Sequence, residues 1–220
     1  MRITGVRPDG FHLIDAEMVS LDLADTLTFA VGDGLELVGA GADVPAGDDN
    51  LVRRALLRAG RTAQVRVDKR IPSGAGLGGG SADAAAVLRW AGSTDLDSAA
   101  TLGADVPFCL VGGRARVTGV GDRVEPLPFV ALSFTLLTPP VHCATPAVYR
   151  AWDDLGGPTA DGPNDLEPAA LVVAPELARW RDRLGDATGH IPVLAGSGST
   201  WFVEGDHDGD GFIVVHTRPA

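Results

Sequence analysis

The chain is poor in positive charge, cysteine and aromatic side chains. Eighteen Lys and Arg residues face 29 Asp and Glu, a formal net charge of −11 at pH 7. That balance excludes a general nucleic-acid or anionic-membrane surface, because a polyanion is repelled outside any local basic patch. Two cysteines, Cys109 and Cys143, make neither a disulfide scaffold nor a metal-ligand spacing, so a reducing cytoplasm is the simpler home. No run of about 18 apolar residues occurs. No basic region followed by an apolar run opens the sequence either, so no helical span and no secretory leader is read. Five histidines build no zinc pattern, and no Gly-x-Ser-x-Gly elbow supports a hydrolase. Apolar residues are not scarce: 45% hydrophobic against 21% charged argues against disorder. There is material for one large domain or two small ones.

Glycine is what the chain has in quantity, 29 residues in all, five of them within positions 74–80. They fall between a strand-like run over 63–67 and a helix-like run over 82–90. Glycine there removes side chains, permits positive φ and lets backbone N–H groups converge on an anion. A helix beginning near Ser81 adds unpaired N–H groups and a positive dipole end. The object is read as a phosphate-binding loop. A G-x-x-x-x-G-K-[ST] loop is excluded because Ser81 follows Gly80, and no parallel strand carries the acidic residue that a dinucleotide fingerprint requires.

Around the loop the pattern is α+β. Short, antiparallel-looking strands are expected over 1–38, then a helix over 51–59 capped from Asp48-Asp49-Asn50. One or two helical turns follow over 97–102. Residues 109–111 and 114–118 read as paired strands, with Pro107 biasing Val106 away from helix. A boundary is placed near 126–129, giving lobes 1–130 and 131–220. The second holds a strand over 131–138, a helix from Thr145 through Trp152, a mostly helical stretch over 168–184, and strands at 191–195, 201–203 and 212–215.

An anion loop makes the neighbouring carboxylates candidates. Asp105 can orient or deprotonate a hydroxyl that attacks a γ-phosphate, or simply end a turn. Ser81 can cap its helix, bind Mg²⁺, or both; capping is the preferred reading. Asp83 suits the helix's first turns through the dipole alone. Phe11 and His12, after the tight turn Arg7-Pro8-Asp9-Gly10, can stack on and hydrogen-bond a heterocycle, or form a half-buried strand end. Gly196-Ser197-Gly198-Ser199 reads as a second loop that approaches a ligand closely. His207-Asp208 reads as a solvated turn.

The stretch Pro72-Ser73-Gly74-Ala75-Gly76-Leu77-Gly78-Gly79-Gly80-Ser81-Ala82-Asp83-Ala84-Ala85 resembles the ATP loop of the GHMP kinase superfamily. Within it the chain is similar to the branch acting on 4-diphosphocytidyl-2-C-methyl-D-erythritol in non-mevalonate isoprenoid synthesis. Arg7-Pro8-Asp9-Gly10-Phe11-His12, Asp49-Asn50-Leu51, Leu102-Gly103-Ala104-Asp105-Val106-Pro107-Phe108, Gly119-Val120-Gly121-Asp122, Thr145-Pro146-Ala147-Val148-Tyr149, Asn164-Asp165-Leu166-Glu167 and Ala195-Gly196-Ser197-Gly198-Ser199 match its motifs in order. The resemblance implies a two-lobed α+β GHMP kinase fold with the active site between the lobes. It implies that Pro72, Ser73, Gly74, Ala75, Gly76, Leu77, Gly78, Gly79, Gly80, Ser81 and Ala82 hold the ATP phosphates, with Mg²⁺ as the accompanying ion. Asp105 is the catalytic Asp by the same resemblance, Phe11 and His12 receive the cytosine, Tyr149 is a second aromatic wall, and Gly196 and Ser197 complete the substrate side. The implied partner is a cytidyl-diphosphate small molecule, with no nucleic acid and no membrane; the oligomeric state is not implied.

The family pattern opens on an Ala-Lys-(Ile/Val/Leu)-Asn-Leu segment whose lysine works with the catalytic Asp. That segment would precede Met1. The expectation is a start inside a longer, active kinase. The alternatives are a compact, catalytically impaired nucleotide-binding relative, or a superfamily kinase for a sugar, homoserine or mevalonate-type alcohol, which residues 7–12 disfavour. Lys69, the first lysine of the chain, is assigned to a different motif.

Overall fold

The computed structural model describes residues 1–39 and 44–220. In chain order the elements are β1 (Arg2–Val6), β2 (His12–Leu21), β3 (Thr26–Ala30), β4 (Gly34–Gly39), α1 (Leu51–Arg58), β5 (Gln64–Lys69) and α2 (Gly79–Trp90). There follow α3 (Leu96–Ala100), α4 (Val106–Val111), β6 (Arg114–Gly119), β7 (Arg123–Leu127) and β8 (Ser133–Leu137). The remainder is α5 (Thr145–Asp154), α6 (Glu167–Val173), α7 (Leu177–Thr188), β9 (Val193–Leu194), β10 (Trp201–Glu204) and β11 (Phe212–Arg218). The chain divides into two compact units. One comprises Val6–Ser73, Gly78–Phe129 and Arg218–Ala220; the other comprises Met1–Gly5, Gly74–Leu77 and Val130–Thr217.

In the larger unit β5 is the organising strand. Its alternation puts Val65 and Val67 fully inside and Arg66 outside, each buried Val contributing about 1.5–3 kcal/mol. β5 pairs antiparallel with β3 but parallel with β4, so the opening of the chain is not wholly antiparallel as its pattern suggests. The β4 and β5 sequences flank α1, the crossover a parallel pair requires. Asn50 caps α1, its side chain accepting the Val52 N–H at 2.9 Å. Val52, Ala55 and Leu56 of α1 then join Val65, Val67, Ala84, Ala85, Val87 and Leu88 in one core. Ala84 and Ala85 of α2 are fully buried in that core, and α2 packs against α1 and α4. A second sheet in this unit pairs β2, β6 and β7 antiparallel.

Several sequence expectations fail here. Residues 109–111 are not a strand but the last turn of α4. Pro107 does not divert Val106, because both lie in the first turn, where a missing N–H leaves no helical bond unmade; the Val106 N–H reaches Gly103 O at 3.1 Å. Helix α2 also begins three residues before the expected start. Gly78 takes the left-handed conformation (φ 68°) as its N-cap, so Ser81 lies inside the helix and does not cap it.

The smaller unit carries β11, β8, β10 and β9 in that order, each neighbouring pair antiparallel. Trp201 is fully buried and packs with Leu137, Val148, Trp152, Leu166, Leu177 and Leu184 from β8 and helices α5–α7. This core includes Trp152 and Trp201, whereas the buried residues of the other are Val, Leu and Ala. Both cysteines are free.

Candidate active site

The glycine loop leaves β5 at Lys69 and enters α2 at Gly79. Gly74, Gly76 and Gly78 have φ of 68°, 75° and 68°, a region any side chain strains. The first helical hydrogen bond of α2 runs from the Ala82 N–H to Gly78 O at 2.9 Å. The N–H groups of Gly79, Gly80 and Ser81 precede it and form the positive end of a 12-residue helix. That geometry suits an anion.

Beneath the loop lies a buried charge cluster that sequence reasoning missed. Lys69 and Asp83 are 6% and 5% exposed. The Lys69 ammonium donates to Asp83 Oδ2 at 2.7 Å and to Asp25 Oδ2. Asp25 Oδ1 also accepts the N–H groups of Arg70 (2.6 Å) and Ile71 (2.9 Å). Burial opposes the Lys69 charge, and the hydrogen bonds to Asp25 and Asp83 outweigh it, so its pKa rises. Burial pushes the Asp83 carboxyl up to about 6 against the pull of Lys69. The placement of Asp83 is therefore set by an ion pair and not by the helix dipole alone. The signal available in sequence was weak: a lysine at an inward position of an alternating strand.

Asp105 occupies the N-cap position of α4 without making a side-chain cap bond. It is half-buried, and burial raises its pKa, which keeps the carboxylate a better proton acceptor than an exposed Asp. The Gly119-Val120-Gly121-Asp122 motif supports its turn. A Cβ on Gly121 would collide with Ala104 O and lie 2.9 Å from Ala104 C, while Asp122 Oδ1 accepts the Val120 N–H at 2.9 Å.

Phe11 and His12 follow a turn closed by Gly10 N–H to Arg7 O (2.9 Å) and Arg7 N–H to Phe11 O (2.8 Å). Phe11 is 62% exposed, a large apolar ring left to solvent. His12 is the first residue of β2 and half-buried.

In the smaller unit, the loop tip Gly74–Leu77 meets the second glycine turn. The Thr200 N–H donates to Ala75 O at 3.1 Å. A Cβ on Gly76 would collide with Ala195 O and lie 2.9 Å from Gly198 O. Two expected site stretches are thus brought into contact through their backbones. Ser197 is buried and its hydroxyl pairs with that of Thr145 at 2.8 Å. Asn164, 1% exposed, donates to Leu194 O (2.8 Å) and Gly196 O (2.7 Å) and accepts the Leu166 N–H (3.0 Å). The Asn-Asp-Leu-Glu motif therefore holds the turn from behind. Tyr149, on α5, is partly buried against the core of this unit.

A glycine-lined anion cradle at the start of a helix, on an α+β frame of this order, defines a GHMP-type kinase. The family model described as the GHMP kinases N terminal domain matches residues 50–113. A 4-diphosphocytidyl-2-C-methyl-D-erythritol kinase of Ruegeria pomeroyi is 38% identical over 232 residues, covering 92% of this chain and 83% of that protein. One from Pelotomaculum thermopropionicum is 39% identical over 240 residues, covering 91% and 83%. A crystal structure of 4-(cytidine 5'-diphospho)-2C-methyl-D-erythritol kinase superposes with a TM-score of 0.72 at 34% identity, covering 91% of this chain and 84% of that one. A mevalonate kinase from Methanococcus jannaschii, 10% identical with a TM-score of 0.51 and covering 97% of this chain and 100% of that one, shares the fold. The chain belongs to the 4-diphosphocytidyl-2-C-methyl-D-erythritol kinase family.

Proposed function

We propose that this chain transfers the γ-phosphoryl group of ATP to the 2-hydroxyl of 4-diphosphocytidyl-2-C-methyl-D-erythritol. Identity of 38% across 92% of the chain to a kinase of that name carries the reading. The positive-φ glycines and the leading N–H groups of α2 fit the phosphates of a nucleotide. Residues from Pro72 to Ala82 hold them. Mg²⁺ bound with the nucleotide would supply charge neutralisation at the phosphates, and as a cation that keeps several waters it would need few protein ligands.

Asp105 accepts the proton of the 2-hydroxyl as its oxygen bonds to the γ-phosphorus. The bond from that phosphorus to the bridging oxygen breaks, and ADP leaves with the electron pair. Phe11 stacks on the cytosine, which explains a large ring left in solvent, and His12 hydrogen-bonds its edge. Tyr149 is a second wall, and Gly196 and Ser197 line the substrate side.

A coupled assay of ADP release tests the reading, with the cytidyl alcohol, homoserine and mevalonate offered in turn. ADP release with the cytidyl alcohol alone is the expected outcome. Release with another alcohol and none with the cytidyl one overturns it.

A further inference from the structure

Lys69 is the only lysine among 220 residues, yet it is buried. An ammonium loses hydration inside a protein, so its position there demands partners and a purpose. The partners come from both sides of the glycine loop. Asp25 holds the residues where the loop begins, through the Arg70 and Ile71 N–H groups. Asp83 stands one turn inside α2, where the loop ends. Both carboxylates converge on one nitrogen. Gly79 leaves room for Ile71 against the start of α2, since a Cβ there would lie 3.0 Å from Ile71 Cγ2.

We propose that Lys69 is a positioning residue of the nucleotide site. Through Asp25 and Asp83 it fixes the spacing between the two ends of the glycine loop, and so sets the aim of the loop's N–H groups before ATP arrives. The proposal rests on the kinase reading above. Two physical arguments support it. A stretch with five glycines in seven positions has the largest backbone entropy to lose on ordering, and ends already fixed leave less to be lost when the ligand binds. The ammonium also offsets two carboxylates close to where phosphates are expected; without it, their field would repel the ligand. A buried pair kept only for stability is a different claim, and a weaker one, because apolar replacements of such pairs are often as stable.

That difference gives the test. Lys69→Met combined with Asp83→Leu, in a background that carries Asp25→Asn, removes the cluster without leaving any partner charged and alone, and the amide oxygen at position 25 can still accept the Arg70 and Ile71 N–H groups. Calorimetry on the purified protein reads the Kd for ATP and for cytidine 5'-diphosphate, alongside melting temperature. The triple variant is expected to melt within about 5 °C of the wild type. Its ATP Kd should rise about tenfold or more while the cytidine ligand's changes less than about twofold. Lys69→Arg, which keeps a cation, should recover part of the loss. An unchanged ATP Kd, or equal weakening for both ligands, overturns the proposal. If the triple variant does not fold, Asp25→Asn alone supplies the same reading, weakening the anchor while keeping its shape, with the same split between ligands expected and an unchanged ATP Kd overturning. Wild-type protein that binds the cytidine ligand but no ATP overturns the kinase reading and this proposal together. Wild-type binding of ATP with no change in the variants overturns this proposal alone.

Discussion

Asp105 and Asp83 show how burial sorts carboxylates that look alike in sequence. Asp105 makes no cap bond and has its pKa raised by burial alone, the state suited to taking a proton. Asp105→Asn is expected to lower kcat by about 10²-fold or more while the ATP Kd stays within about threefold, read by steady-state kinetics beside calorimetry. For Asp83 the folded value is about 6 against 3.8 for the free side chain. Between those pH values the folded protein holds a proton that the unfolded chain has released, so stability falls as pH rises through that window. The contribution is complete below about pH 3.8 and lost above about pH 6. The melting temperature of the wild type should therefore drop relative to Asp83→Asn between pH 4 and 6.5, and differential scanning across that range checks it. A constant difference would mean that Asp83 is ionised throughout.

At the scale of elements, the site is made of loops that other segments hold. The tip of the glycine loop and the turn at 195–199 touch through backbone atoms, which is why a glycine stands at 76. Gly76→Ala combines a left-handed φ with a collision against Ala195 O and Gly198 O. It should lose about 1–3 kcal/mol of stability and raise the KM for ATP about tenfold or more, with a smaller effect on the cytidyl substrate. Asn164→Leu would remove the side-chain partner of the Gly196 carbonyl and, in the buried interior, of the Leu194 carbonyl and the Leu166 N–H. The expected loss is about 3 kcal/mol or more, visible as a lowered urea midpoint with an unchanged slope. Helix α4 makes the complementary point. Its six residues include Pro107 and are followed by Gly112-Gly113, so period and propensity offered too little to separate helix from strand.

For the whole molecule, the net charge of −11 sets long-range repulsion against an anionic ligand, and the local dipoles of the loop have to overcome it. ATP binding should then strengthen as salt rises from about 10 to 150 mM, because screening removes the repulsion over about 10 Å while leaving short contacts intact. Titration at two ionic strengths, with Mg²⁺ fixed, decides this. Weaker binding at the higher salt would place a net cationic field at the site. At 100 times its Kd, ATP should add about 2.7 kcal/mol to stability if it binds only the folded protein.

The sequence alone determined the α+β class, the glycine loop between a strand and a helix, and the motif order, because glycine at positive φ, alternating valines and capping residues act over a few neighbours. It placed α1 and its Asn50 cap closely for the same reason. Only the tertiary structure decided that β4 runs parallel to β5, that 106–111 is helical, and that Ser81 lies within a helix capped by Gly78. It also decided the fate of Lys69. Its partners stand 44 residues before it and 14 after it, and a buried ion pair between such distant positions leaves no local pattern to read. The glycine loop was legible because its chemistry is in its own backbone; the cluster beneath it was not, because its chemistry exists only once the chain has folded.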